Sequence, residues 1–350
     1  MTQSGRQING QEMVKNSQIR RSVWCLVALP LIACGEQQVS ESPDGSATAA
    51  DYVLTADKTH NKFSAAIPPV ITVPSGAVIE AYTHEATGGE LALGSTAADL
   101  KAIDDDVYHA LTGPVYVEGA NPGDTLAVTL IELEPGDWGW TGLWPDFGFL
   151  VGQEDHLKIK TYTIDKNTNS VEFAEGIHIP LQPFPGVMGV APATDEFLST
   201  GPPRANGGNM DDRNIVAGTT VYFPIFVDGA LFSIGDTHAV QGMGEVGGSA
   251  VEVPMRIVYK IEVLKGGRVL PEPQYETDTY YATTGFAPTI DEAAKKATLY
   301  MIDHIVAKYS LSRSDAYMLC SLACDLKIAE VVDIPNMLVA MHLRKDIFEE

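Results

Sequence analysis

The stretch "TTVYFPIFVDGALFSIGD", Thr219 to Asp236, is dense in β-branched and aromatic residues and reads as extended chain broken by turns. Four other segments have the same character: "VITVPSGAVIEAYT" (Val70–Thr83), "DTLAVTLIEL" (Asp124–Leu133), "HLKIKTYTID" (His156–Asp165) and "VEVPMRIVYKIEVL" (Val251–Leu264). Several alternate apolar and polar positions, and no helical pattern separates them. Many short strands without intervening helices exclude a doubly wound sheet. They predict a mainly β protein, of β-sandwich or barrel type, with a small α+β part. Helices come late. Thr289 and Glu292 form a capping-box pair, and Ala293, Ala297, Tyr300, Met301, His304 and Ile305 follow at helical spacing. A second helix is expected from Ser312 to about Lys327, burying Met318, Leu319, Leu322 and Leu326.

The 350 residues suit one large or two medium domains, and 45% apolar content supplies a sizeable core. A net charge of −23 argues against nucleic acid as a partner, since phosphate binding needs a basic patch. At the N-terminus, Arg20 and Arg21 precede an apolar run, Val23 to Ala33, too short to span a bilayer as a mature anchor. Leu31-Ile32-Ala33-Cys34 resembles a bacterial lipobox. This implies a lipoprotein signal peptide over residues 1–33, lipidation of Cys34 and, with Gly35 following, an outer-membrane destination facing the periplasm. Residues 34–50 have the small, polar composition of a flexible tether. A β-rich body is expected over 51–288 and a helical segment packed on it over 289–350. Cys320 and Cys324 would be the only thiols of the mature body, read as buried helix residues.

The run "SIGDTHAVQGMGEVGG", Ser233 to Gly248, carries Asp236, His238, Gln241 and Glu245 among five glycines. Three further segments mix glycine with acid, His or Asn: "YTHEATGGEL" (Tyr82–Leu91), "YHALTGPVYVEGANPGDTL" (Tyr108–Leu126) and "STGPPRANGGNMDDRN" (Ser199–Asn214). Together with "PFPGVMGVAPA" (Pro183–Ala193) and "SDAYMLCSLACDLKIAEVVD" (Ser314–Asp333), these strings resemble, in order, those of the acetamidase/formamidase family. The resemblance implies a β-rich amidohydrolase that cleaves small carboxamides to ammonia and an acid, as a homodimer with a bound divalent metal, zinc or calcium. It is incomplete. Met243 precedes Gly244 where relatives have Asp, Gly247 replaces a cysteine, and Asn206 stands where a histidine usually precedes the paired glycines.

Amides are poor electrophiles. Their hydrolysis needs an activated water, a polarised carbonyl and a proton for the departing nitrogen. Asp236 and His238, two apart, point to one face of a strand and suit a metal, with Asp211 as a third ligand and Glu245 as the unligated base. Asn209, Gln241 and Glu85 are the candidates for substrate contact; His84 and Glu85 are neighbours, so at most one can enter a shared site. His109 and Asp124 are expected to hold turns, and Trp138, Trp140 and Trp144 to pack. A cysteine nucleophile and a Ser-Ser-Lys arrangement are set aside. The thiols lie on a helix predicted to be buried, and "GGSA" (Gly247–Ala250) lacks a second serine-rich element. The competing class, favoured by Met243 and Asn206, is a non-catalytic binding or scaffold lipoprotein that keeps the fold.

Mass spectrometry of the mature N-terminus should find a lipid-modified Cys34. An unmodified start at any other residue would end that expectation.

Overall fold

The computed structural model describes residues 49–349 apart from 154 and 268. The signal, Cys34 and nearly all of the tether lie outside the described residues. Nine strands pair in the order Tyr52–Leu54, Val78–Thr83, Met255–Leu264, Thr125–Pro135, Thr220–Pro224, Gln274–Glu276, Tyr280–Ala287, Met337–Arg344 and Cys324–Glu330. All neighbours are antiparallel except the first pair. A second sheet runs Gly207–Asn209, Phe184–Gly189, Phe232–His238, Leu111–Val117, Thr59–His60. Each segment that reads as extended in the sequence supplies at least one of the observed strands.

The apolar faces of these two sheets meet in one core. Phe232 of the smaller sheet packs tilted on Phe223 and edge-to-face on Tyr259 of the larger one, with centroids 5.8 and 5.5 Å away. All three rings are fully buried, as are Val115, Met188, Val128 and Val221 around them. Burying one such ring contributes about 1.5–3 kcal/mol. The contact also fixes the height of the strand Phe232–His238, whose far end carries Asp236 and His238.

The helix Ile290–Tyr309 starts at Thr289, whose hydroxyl accepts from the Glu292 amide, and buries Ala293, Ala297, Met301 and Ile305 on the strands Tyr280–Ala287 and Met337–Arg344. The next helix is shorter than its pattern suggests. It spans Arg313–Ala323, and Cys324 begins the outermost strand of the large sheet. Its apolar face is also turned. Ala316 and Cys320 face inward, whereas Met318, Leu322 and Leu326, expected to be buried, are 57%, 85% and 52% exposed. Helical spacing says which residues share a face, but not which face meets the protein. Cys324 is half-buried at the strand's start.

Phe232→Ala should cost about 3–5 kcal/mol, because the ring leaves a cavity between two sheets that cannot close together. Urea unfolding monitored by circular dichroism checks this; a loss under 1 kcal/mol would mean that the sheets are not joined there.

Candidate active site

The strand Phe232–His238 is central in its sheet, bonded on one side to Phe184–Gly189 and on the other to Leu111–Val117. Beyond His238 the chain folds back so that Glu252 bridges to both His238 and Trp140, the latter through Trp140 N–H to Glu252 O (3.0 Å) and the reverse bond (2.8 Å). Asp236, His238 and Glu252 thus share one wall of a cavity of about 580 Å³. Asp211 arrives from the loop after Gly207–Asn209, its amide bonded to Gly186 O at 3.2 Å. Glu245 arrives on the glycine loop, held where Gly244 N–H donates to Ala329 O (2.8 Å) and Val331 N–H to Gly244 O (3.2 Å).

The fully buried imidazole of His238 divides the site. Its Nδ1 lies 3.5 Å from Asp211 Oδ1, and its Nε2 lies 3.5 Å from Asp236 Oδ2 and 3.1 Å from Glu252 Oε2. Two triplets therefore share it, Asp211–His238–Glu245 and Asp236–His238–Glu252, each with donor atoms within 4.8 Å of one another. Phe184 presents its face or edge at right angles to the same imidazole, 4.9 Å between centroids. A methyl group at Gly186 would collide with Asp211 Oδ1 and lie 2.7 Å from His238 Cε1, so only glycine lets the strand pass so close.

Asp333 and Glu330 complete the acidic cluster from the end of the outermost strand of the large sheet. Asp333 accepts from Asn209 Nδ2 at 2.8 Å, and Glu330 Oε2 accepts from the amides of Val332 (2.9 Å) and Asp333 (3.1 Å). Six buried carboxylates then stand against His238 and His109. Burial pushes Asp211 up to about 6, against the pull of His238, and Glu330 up to about 8. Burial, reinforced by Asp211 and other acidic neighbours, also holds Glu245 and Asp333 well above the usual carboxylate range. For Asp236, burial is overcome by His109 and His238, which keep it low. For His238, burial opposes the charge, but Glu252 and Asp236 outweigh it and raise the imidazole well above its ordinary value.

Two further features mark the site. Buried atoms left without a hydrogen bond gather here: Asp211 Oδ1, His238 Nδ1, Glu252 Oε2, Asn209 Oδ1 and Glu330 Oε1. Such atoms normally cost about 1–3 kcal/mol each unless something meets them. The backbone is strained as well. Of the eight non-glycine residues with positive φ among the described residues, His109 (59°), Asp211 (40°), Asp236 (48°) and Glu245 (43°) all line this cavity. Side chains held in that region point where ordinary strand geometry would not send them.

The sequence candidates separate accordingly. Asp236, His238, Asp211, Glu245 and Asn209 are brought together, from two strands and two loops. Glu85 is not at the cavity. Its carboxylate is saturated by Trp140 Nε1 (2.7 Å), Thr87 N (2.9 Å), Thr87 Oγ1 (2.7 Å) and Gly89 N (2.8 Å), so it has no lone pair to spare for a substrate. Gln241 stands behind the cavity and donates to Asp211 O at 2.7 Å, supporting that residue instead of contacting substrate. His109, expected only to hold a turn, lines the cavity, as does Trp144, expected only to pack; Asp124 does hold a turn, accepting from Asn121 N. Glu252, Glu330 and Asp333 went unrecognised, because no spacing to the other acids marks them; the signal for Glu330 and Asp333 was their place at the end of the string Ser314–Asp333. The departures at Met243, Gly247 and Asn206 all lie off the cavity wall, and Asn206 spends its amide on Val190 O at 2.8 Å.

These strings and this cavity can be set beside known proteins. The acetamidase/formamidase family model matches residues 48–200 and 194–350. The formamidase of Methylophilus methylotrophus is 27% identical across 83% of this chain and 89% of its own. The acetamidase of Mycolicibacterium smegmatis is 26% identical across 59% of this chain and 66% of its own. The crystal structure of an acetamidase from Bacillus halodurans aligns with a TM-score of 0.80 and 32% identity, covering 85% of this chain and 98% of that one. With the family model matching nearly the whole described chain, this protein belongs to the acetamidase/formamidase family.

Proposed function

We propose that this chain hydrolyses carboxamides to ammonia and a carboxylic acid, with a divalent cation held among the carboxylates around His238. The observation that carries the reading is the buried cluster itself: five carboxylates and an imidazole on the wall of one cavity, several with unsatisfied atoms, and Glu330 buried behind them. Buried carboxylates in such excess either hold protons or need a counter-charge. Asp236, His238 and Glu252 would hold the cation on the Nε2 side; Asp211, read from sequence as the third ligand, faces the opposite nitrogen with Glu245. The nitrogen donor suits zinc and the surrounding oxygens suit calcium. Bound there, the cation supplies Lewis-acid polarisation of the amide carbonyl and offsets the negative charge.

The remaining chemistry belongs to side chains. Glu245, on the cavity wall with a carboxylate oxygen within 4.8 Å of ligand atoms of Asp211 and His238, is suited to take a proton from the attacking water and to return it to the nitrogen as the C–N bond breaks. The free Oδ1 of Asn209, whose amide nitrogen is fixed by Asp333, is suited to accept from the substrate's NH₂ group. The N-terminal sequence further supports an exported chain, lipid-anchored through Cys34 to the outer membrane on its periplasmic side. The exposed Tyr317, Met318, Leu322 and Leu326 support a homodimer.

Ammonia release across short amides, with metal analysis of the same protein, tests the reading. His238→Ala or Asp236→Ala should remove the metal and abolish turnover while circular dichroism is unchanged; full metal and full turnover in His238→Ala would refute it. Glu245→Gln should retain metal and lose roughly 10²–10⁴-fold in rate. Chelation should lower the melting temperature, and cation at a hundred times its Kd should restore about 2.7 kcal/mol.

A further inference from the structure

The cavity is larger and more aromatic than a carboxamide group alone requires. At about 580 Å³ it lies within the range of roughly 300–1,000 Å³ that encloses drug-sized ligands, and formamide or acetamide would occupy a small part of it. Besides the acidic cluster, it is lined by Trp140, Trp144, Phe147, Tyr108 and Ala86. Three of these form a continuous wall. Trp140 meets Trp144 edge-on at 6.3 Å between centroids and 71°, and Trp144 meets Phe147 at 6.2 Å and 82°.

The wall is built into the backbone. The Trp144 ring lies over Gly142, where a methyl group would collide with it, and the Phe147 ring lies over Gly248, where a methyl group would lie 2.6 Å from two ring carbons. Both rings therefore occupy space that only glycine leaves open. Phe147 remains 40% exposed, which leaves apolar ring surface for a ligand to cover. A negatively charged acyl group fits poorly. The cavity is strongly acidic, and the nearby Lys62 is engaged by Asp106 at 3.0 Å.

From this juxtaposition we infer that the preferred substrate is a neutral primary amide whose acyl group carries a ring-sized apolar substituent, seated against Trp144 and Phe147 while the carboxamide meets the His238 cluster. The inference rests on the amide-hydrolase reading above and names its substrate class. Edge-to-face contact rewards an aromatic ring over a flexible chain of similar size, since the ring orders fewer bonds on binding.

The test compares kcat/KM for acetamide, hexanamide and phenylacetamide on the full chain, and measures binding of acetamide and phenylacetamide by calorimetry. Phenylacetamide should exceed acetamide by at least about tenfold in kcat/KM, the scale on which an apolar pocket discriminates. Trp144→Ala and Phe147→Ala should each reduce that ratio severalfold; Phe147, being partly exposed, is the variant that removes wall without removing core. A preference for acetamide, or a ratio untouched by both substitutions, overturns the inference and leaves the hydrolase reading standing. No turnover of any amide, together with tighter binding of phenylacetamide than of acetamide, sinks the hydrolase reading and supports the pocket assignment. Equal or weaker binding of phenylacetamide overturns the assignment in either case.

Discussion

One imidazole placed between opposing carboxylates organises this protein. His238 has Asp211 on one nitrogen and Asp236 with Glu252 on the other, all buried. Charges in that position are costly unless neighbours are held at fixed distances. The surrounding architecture does this holding. The strand that carries Asp236 and His238 is bonded on both sides and anchored at its other end by Phe232 between the two sheets. The side chains that meet around His238 come from distant points of the chain, so their spacing depends on the whole sandwich.

Strain and close packing serve the same end. Four site residues adopt left-handed backbone angles, and Glu245, which has less tendency than Asp or His to do so, does it on a loop tied to Ala329 and Val331. Gly186 lets the neighbouring strand approach His238 without a Cβ in the way. A site stabilised by its own contacts alone would relax such angles. Here Asp236 is held by sheet pairing on both sides, and the loops of His109, Asp211 and Glu245 by backbone bonds to Ala86, Gly186, Ala329 and Val331.

The C-terminal segment has a double role. Its helices cover the back of the large sheet and reach no catalytic group, but the strand that follows them fastens the Glu245 loop and delivers Glu330 and Asp333. Asp333 in turn orients Asn209. The helical end is therefore continuous with the site through the strand Cys324–Glu330.

The sequence by itself determined the strand-rich class, the late helices and the cluster Asp236, His238, Glu245, Asn209 and Asp211, because β-branched runs, capping residues and glycine-dense acidic strings are local signals. It could not place Glu252 beside His238, since that contact is made by a chain reversal and a single bridge between strands. Nor could it separate Glu85 from the site: a glutamate saturated by a tryptophan and three nearby donors looks, as a string, the same as one facing a substrate. The burial of Leu322 was misjudged for a related reason, because periodicity defines a helix's stripe while tertiary packing selects the face that is covered. Which carboxylates share a cavity, and which of them lack partners there, was decided only by tertiary structure, because burial and electrostatic coupling depend on distances in space, and spacing along the chain does not set them.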